Sequence, residues 1–225
     1  MKKKTVLALA AAAFIGGCGK EFPETPWSAA ELELRQAVEN QTDYDSRLEL
    51  ARLYFMHNRI DEADALLREL IKEDPEDMTA KAWFAANECK IAGRTGPWLL
   101  GLEKLYLVWD CLKDLDEAVK KAPDDFTVLL VQMNTDAEVD MYGSMQRALD
   151  IRARLEKQIE AKPDAYPPSA RSAFFETAAH IETLRKNPKA AADYWQRIIA
   201  LNADPDGVER AKREIAALAQ APQNP

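Results

Sequence analysis

RLELARLYFMHNRIDEADALLRELIKEDP, residues 47–75, is the stretch whose reading decides the fold. Its second half places Ala63, Leu67 and Leu70 four and three positions apart, and Pro75 follows five positions later. Steps of three and four put those side chains on one face of a helix. MHNRID, 56–61, reads as a turn, so the stretch is two helices joined by a tight connection. Proline suits the first turn of a following helix, and the acids around it complement a helix N-terminus.

The same punctuation recurs outward from this stretch. EDPED (73–77), KAPDD (121–125), AKPDA (161–165) and ADPDG (203–207) carry Pro75, Pro123, Pro163 and Pro205, spaced 48, 40 and 42 residues apart. Cys111-x3-Leu115-x2-Ala118 precedes Pro123 and Ile151-x3-Leu155-x2-Gln158 precedes Pro163, each with the same gap of five. Each proline is expected to end one helix and begin the next. Helix formers dominate after residue 27 and there are only eight glycines, which argues against a turn-rich β protein.

The stretch resembles the tetratricopeptide repeat, whose pattern runs W-x2-L-G-x2-Y, then A-x3-F, then P, over a helix pair of about 34 residues. Leu50, Tyr54, Ala63 and Pro75 match outright, Ala51 and Leu67 conservatively, and Arg47 departs. Later units keep the second helix and the proline but are longer. Ala191-x3-Trp195-x2-Ile198 fits the last unit in part, with Pro205 two residues late. The expectation is an all-α, tetratricopeptide-like solenoid of about four helix pairs over residues 28–219, closed by a helix near 206–219, with a disordered tail at 220–225. The resemblance implies a binding scaffold whose first helices line a concavity. Its groove positions fall on Arg52, Phe55 and Met56, and in the third unit on Asn134 and Glu138.

The N-terminus carries an address. Lys2, Lys3 and Lys4 precede an apolar run, Thr5–Ile15, and the small residues Gly16 and Gly17. That is the layout of a secretory signal. The run is too short to span a bilayer, which takes roughly 20 residues. Ile15-Gly16-Gly17-Cys18 resembles a bacterial lipoprotein box, which implies cleavage after residue 17 and acylation of Cys18. The competing reading is a plain secreted chain with a chance cysteine. Gly19 stands where the enterobacterial sorting rule has Asp for inner-membrane retention, so the resemblance points to the outer membrane, periplasm-facing. Residues 18–27 read as a tether of at most about 30 Å. Cleavage would remove three lysines and no acids, taking the net charge from −8 to −11. A chain that acidic is a poor match for nucleic acid, which binds through Lys and Arg.

Catalytic chemistry is scarce. His57 and His180 are the two histidines, the first read as a dipole partner at a helix C-terminus or a solvated turn residue, and the second as an ion-pair partner of Glu176 on the same helix face. There is no metalloprotease, hydrolase-elbow or phosphate-loop motif. Asn202–Gly207 begins like a calcium loop, but Arg213 stands where the bidentate Glu is needed. No enzyme activity, metal or cofactor is expected. Cys89 and Cys111 are expected to be free thiols: with a helix starting at Pro97, Cys111 would lie about 20 Å beyond the turn, against the roughly 4.4–6.8 Å that a disulfide tolerates between Cα atoms.

GPWLLGLEKLYLVWDCL, 96–112, is apolar nearly all round. It is either buried mid-array or lines a pocket or partner surface through Trp98, Leu99, Leu102 and Tyr106. The leading functional expectation is a lipid-anchored scaffold for protein partners in a bacterial envelope complex. The alternative is a small-ligand-binding accessory of a transporter, resembling the T-component lipoproteins of TRAP systems.

Overall fold

The computed structural model of the chain describes residues 19–27, 29–40, 43–96 and 101–220. The signal segment, Cys18, Ser28, Trp98, Leu99 and most of the tail lie outside the described residues. Among the described residues there are ten α-helices and no strand: α1 Ala29–Glu39, α2 Tyr44–Met56, α3 Ile60–Glu73, α4 Met78–Arg94, α5 Leu102–Lys121, α6 Phe126–Val139, α7 Ser144–Ala161, α8 Pro168–Leu184, α9 Pro188–Leu201 and α10 Pro205–Gln220.

Aspartates rather than prolines set several helix starts. Asp43 accepts from the Ser46 amide at 3.0 Å, Asp77 from Thr79 and Ala80, and Asp125 from Val128 at 2.9 Å. Pro75 and Pro123 sit in the turn just before those caps, so α4 and α6 begin three residues after the proline. A carboxylate that accepts the orphan amides fixes the first turn more tightly than proline's missing donor does. Pro168, Pro188 and Pro205 do occupy first helical positions.

The helices pair as α2/α3, α4/α5, α6/α7 and α8/α9. α2, α4, α6 and α8 also touch in succession to form one continuous layer, while α10 closes the array on α9. In the first pair Ala51, Ala63, Leu67 and Leu70 are buried together with Leu115, Ala118 and Val128 from later units. A second cluster joins Leu129, Met133, Leu155, Phe174, Ile181 and Trp195. α6 serves both clusters, and most of its residues are buried. The helix enclosed mid-array is therefore α6 and not α5, which carries residues 102–112 of the apolar 96–112 stretch. Its buried Asp136 is paired with Arg147 at 2.7 Å, yet burial pushes its carboxyl up to about 6.

The expectation of free thiols is overturned: Cys89 and Cys111 form a disulfide, with Cα atoms 5.5 Å apart. α4 runs on to Arg94 and α5 begins only at Leu102. Cys89 then lies about 8 Å back from its helix end and Cys111 about 14 Å into the next helix. The longer connection brings the two level on antiparallel neighbours.

Candidate partner-binding groove

The C-terminal ends of α2, α4 and α6 lie side by side, and a cavity of about 600 Å³ opens there. Phe55 and Met56 from α2 line it, as do Lys90 from α4, Asn134 and Glu138 from α6, and Lys104 from α5. Four of the five groove positions carried over from the repeat pattern are thus brought together. The fifth, Arg52, does not line the cavity; its guanidinium is held by Glu49 one turn back, at 2.5 and 2.7 Å.

Lys90 organises the floor. Its amine donates to the Phe55 carbonyl and to Asn58 Oδ1, both at 2.7 Å, and lies 3.7 Å from the centre of the Phe55 ring. A cation suits the carbonyl-rich end of α2, and burial lowers its pKa to about 8. Glu138 forms the rim. It meets His180 of α8 on one oxygen and Lys20 on the other at 2.9 Å. Chiefly the His180 hydrogen bond, then Lys20, holds its carboxyl down at about 2. The expected His180–Glu176 pair is not formed; Glu176 lies 3.3 Å from Arg210 of α10.

Residues 19–27, read from the sequence as a tether, are docked on the body. The Lys20 amide donates to the Gly93 carbonyl at 2.8 Å, and Asn58 Nδ2 donates to the Pro23 carbonyl at 2.9 Å. The Thr25 amide donates to the His57 carbonyl, and Glu24 pairs with Arg59 at 3.1 Å. Trp27 stacks on the His57 ring with centroids 4.0 Å apart. Two glycines permit the approach. A Cβ on Gly93 would stand 2.9 Å from the Phe22 ring, and one on Gly19 would collide with the Arg94 carbonyl. His57 is therefore not a solvated turn residue; it is 5% exposed beneath this strap, hydrogen-bonded to Thr25 Oγ1 at 3.0 Å.

Lys20, Phe22 and Pro23 of the strap line the cavity themselves. Sequence reasoning missed them because a segment with two prolines and no period gives no sign of where it docks. Lys90 was missed because its helix matches the repeat pattern poorly. Of the expected apolar pocket, Leu102 and Tyr106 do not line the cavity and are exposed. α5 buries Val108, Cys111, Leu112, Leu115 and Ala118 against its neighbours, which turns Leu102 and Tyr106 outward. Among the described residues no cluster of three or more His, Cys, Asp or Glu could hold a metal ion, and no helix is long and apolar enough to cross a membrane.

A tetratricopeptide-repeat family model matches residues 27–82, the span from just before α1 into the start of α4. The crystal structure of a thermophilic tetratricopeptide-repeat protein from Thermus thermophilus superposes on 81% of this chain and 87% of its own, with a TM-score of 0.53 at 16% identity. The fold is an all-α, tetratricopeptide-like solenoid. A search of curated proteins returned no match. At that identity the likeness speaks for the solenoid, and the matched region 27–82 contains both helices of the 47–75 stretch. Solenoids of this kind offer extended surfaces to protein partners.

Proposed function

We propose that the chain is a lipid-anchored scaffold of a bacterial cell envelope, held at Cys18 and facing the periplasm, whose α2/α4/α6 groove takes an extended segment of a protein partner. The observation that carries the reading is the strap. The groove already holds an extended peptide, gripped by main-chain hydrogen bonds at Lys20 and Pro23, a charge at Glu138 and an apolar contact at Phe22. A surface that binds extended polypeptide in this way fits a partner presenting the same features. The Cys89–Cys111 disulfide supports export, because such bridges persist in oxidising compartments. The lipoprotein box supplies the anchor, since two or more acyl chains hold a protein on a membrane without a spanning helix. The transporter-accessory alternative is not carried further, because Leu102 and Tyr106, the described members of the expected apolar pocket, do not line the cavity.

The test is photo-crosslinking from position 134 or 56 in the lipidated protein within its own membranes, followed by native mass spectrometry after gentle extraction. A protein adduct at these positions, lost when the crosslinker is moved to Asp64, supports the scaffold. A lone chain with no adduct overturns it. The anchor is tested separately: Cys18→Ser should release the protein from membranes, and retention would refute lipidation.

A further inference from the structure

α5 carries an apolar stripe that stands exposed among the described residues. Leu102, Leu105, Tyr106 and Trp109 are 63%, 39%, 62% and 49% exposed. Their spacing of three, four and seven places them on one helix face, about 10 Å long. The helix itself is not loose, because its other side is buried against α4 and bridged by the disulfide. The stripe has the make-up of a membrane-interface contact, two aliphatic and two amphipathic aromatic side chains. Lys113 lies 5.7 Å from the Trp109 ring, where its stem can follow the apolar surface and its amine reach water.

The path of the chain argues for what covers it. Gly19 is packed against Arg94 at the end of α4, and the Lys20 amide is bonded to the Gly93 carbonyl. Lys104, in the first turn of α5, donates to that same carbonyl at 3.1 Å. The strap's entry and the start of the stripe therefore meet at one corner of the molecule. Cys18 is covalently next to Gly19, one residue spacing of about 3.8 Å away. Whatever holds Cys18 is held within reach of the stripe.

We propose that the Leu102–Leu105–Tyr106–Trp109 face rests in the headgroup and acyl boundary of the leaflet that anchors Cys18, an inference resting on the lipid-anchor reading above. The docked strap removes the slack of a free tether, so the body is seated on the bilayer by one fixed face instead of swinging from it. Lys104 and Val108, on the other side of α5, line the groove, which is left to the aqueous side. Interfacial helices of this kind bury their apolar face about 5–10 Å into the boundary.

The experiment uses the full lipidated protein in vesicles of phosphatidylethanolamine and phosphatidylglycerol carrying brominated acyl chains. The Trp109 signal is taken as the difference between wild type and Trp109→Phe, and intact mass reports the acyl chains on Cys18. The expected result is loss of most of the Trp109 emission to bromine quenching. That loss should be relieved in Leu102→Glu, whose thermal midpoint should match the wild type. An acylated protein whose Trp109 emission is not quenched overturns the seated face while leaving the anchor intact. An unacylated Cys18 overturns both. Emission that shifts to the blue with protein concentration, and ignores brominated lipid, assigns the stripe to a second copy and also overturns the proposal.

Discussion

Glu138 shows how much rests on single residues here. One carboxylate joins three segments distant in sequence: its own helix α6, His180 on α8 and Lys20 in the strap. Because its folded-state pKa is depressed to about 2 from an ordinary 4.5, its contribution is fully present above about pH 4.5 and is lost as the pH falls toward 2. Amide protection over residues 19–27, taken relative to the intrinsic exchange rate at each pH, should fall across that window in the wild type. Glu138→Gln should show low protection already at neutral pH, with little further loss on acidification. Equal protection in the two proteins at neutral pH would mean that the strap is held without this pair. The position of Glu138 was legible through the repeat pattern. Its two partners were not, since both come from segments whose docking depends on the assembled layer.

At the scale of the element, α4 and α5 are set by both the disulfide and the buried face of α5. The bridge closes a loop with a sequence separation of 22. Loop-entropy reasoning assigns such a crosslink about 3 kcal/mol. Urea unfolding with and without reductant, and of Cys89→Ser with Cys111→Ser, should show a loss of that order. A midpoint unmoved by reductant would argue that the two sulfurs are not bonded. α5 also offers an internal contrast. Leu115 is fully buried, so Leu115→Ala should cost about 2–5 kcal/mol. Leu102→Glu, on the exposed face, should fall within about 0.5 kcal/mol of wild type. Large destabilisation by Leu102→Glu would mean that the outer face of α5 is part of the core. Composition alone made the whole 96–112 stretch read as uniformly apolar. Which side faces inward was decided by Val108, Cys111, Leu112 and Leu115 packing on α4, with Cys89 opposite.

For the molecule as a whole, α6 is the shared wall. It supplies Val128 and Val131 to the first cluster and Leu129, Met133 and Ala137 to the second. Solenoids are stabilised by nearest-neighbour interfaces, and a helix common to two clusters couples them. Trp83 reports on the first cluster and Trp195 on the second. Variants retaining only one of these tryptophans should give coincident thermal transitions. Transitions separated by several degrees would show that α6 does not couple the halves.

The sequence by itself determined the helical class, the first repeat and the register of its buried face. These are local properties: three- and four-residue spacing, capping acids and proline punctuation act within a turn or two. It also carries a segment that resembles a lipoprotein leader, a resemblance that rests on a linear motif. Only the tertiary structure decided that Cys89 and Cys111 meet, that residues 19–27 dock on the body with Lys20–Pro23 at the groove, and that the aromatic face of α5 points outward. Each of those depends on where an element ends and on what it packs against across the layer. A boundary moved by five residues shifts a helix by about 7.5 Å, enough to make or break a disulfide.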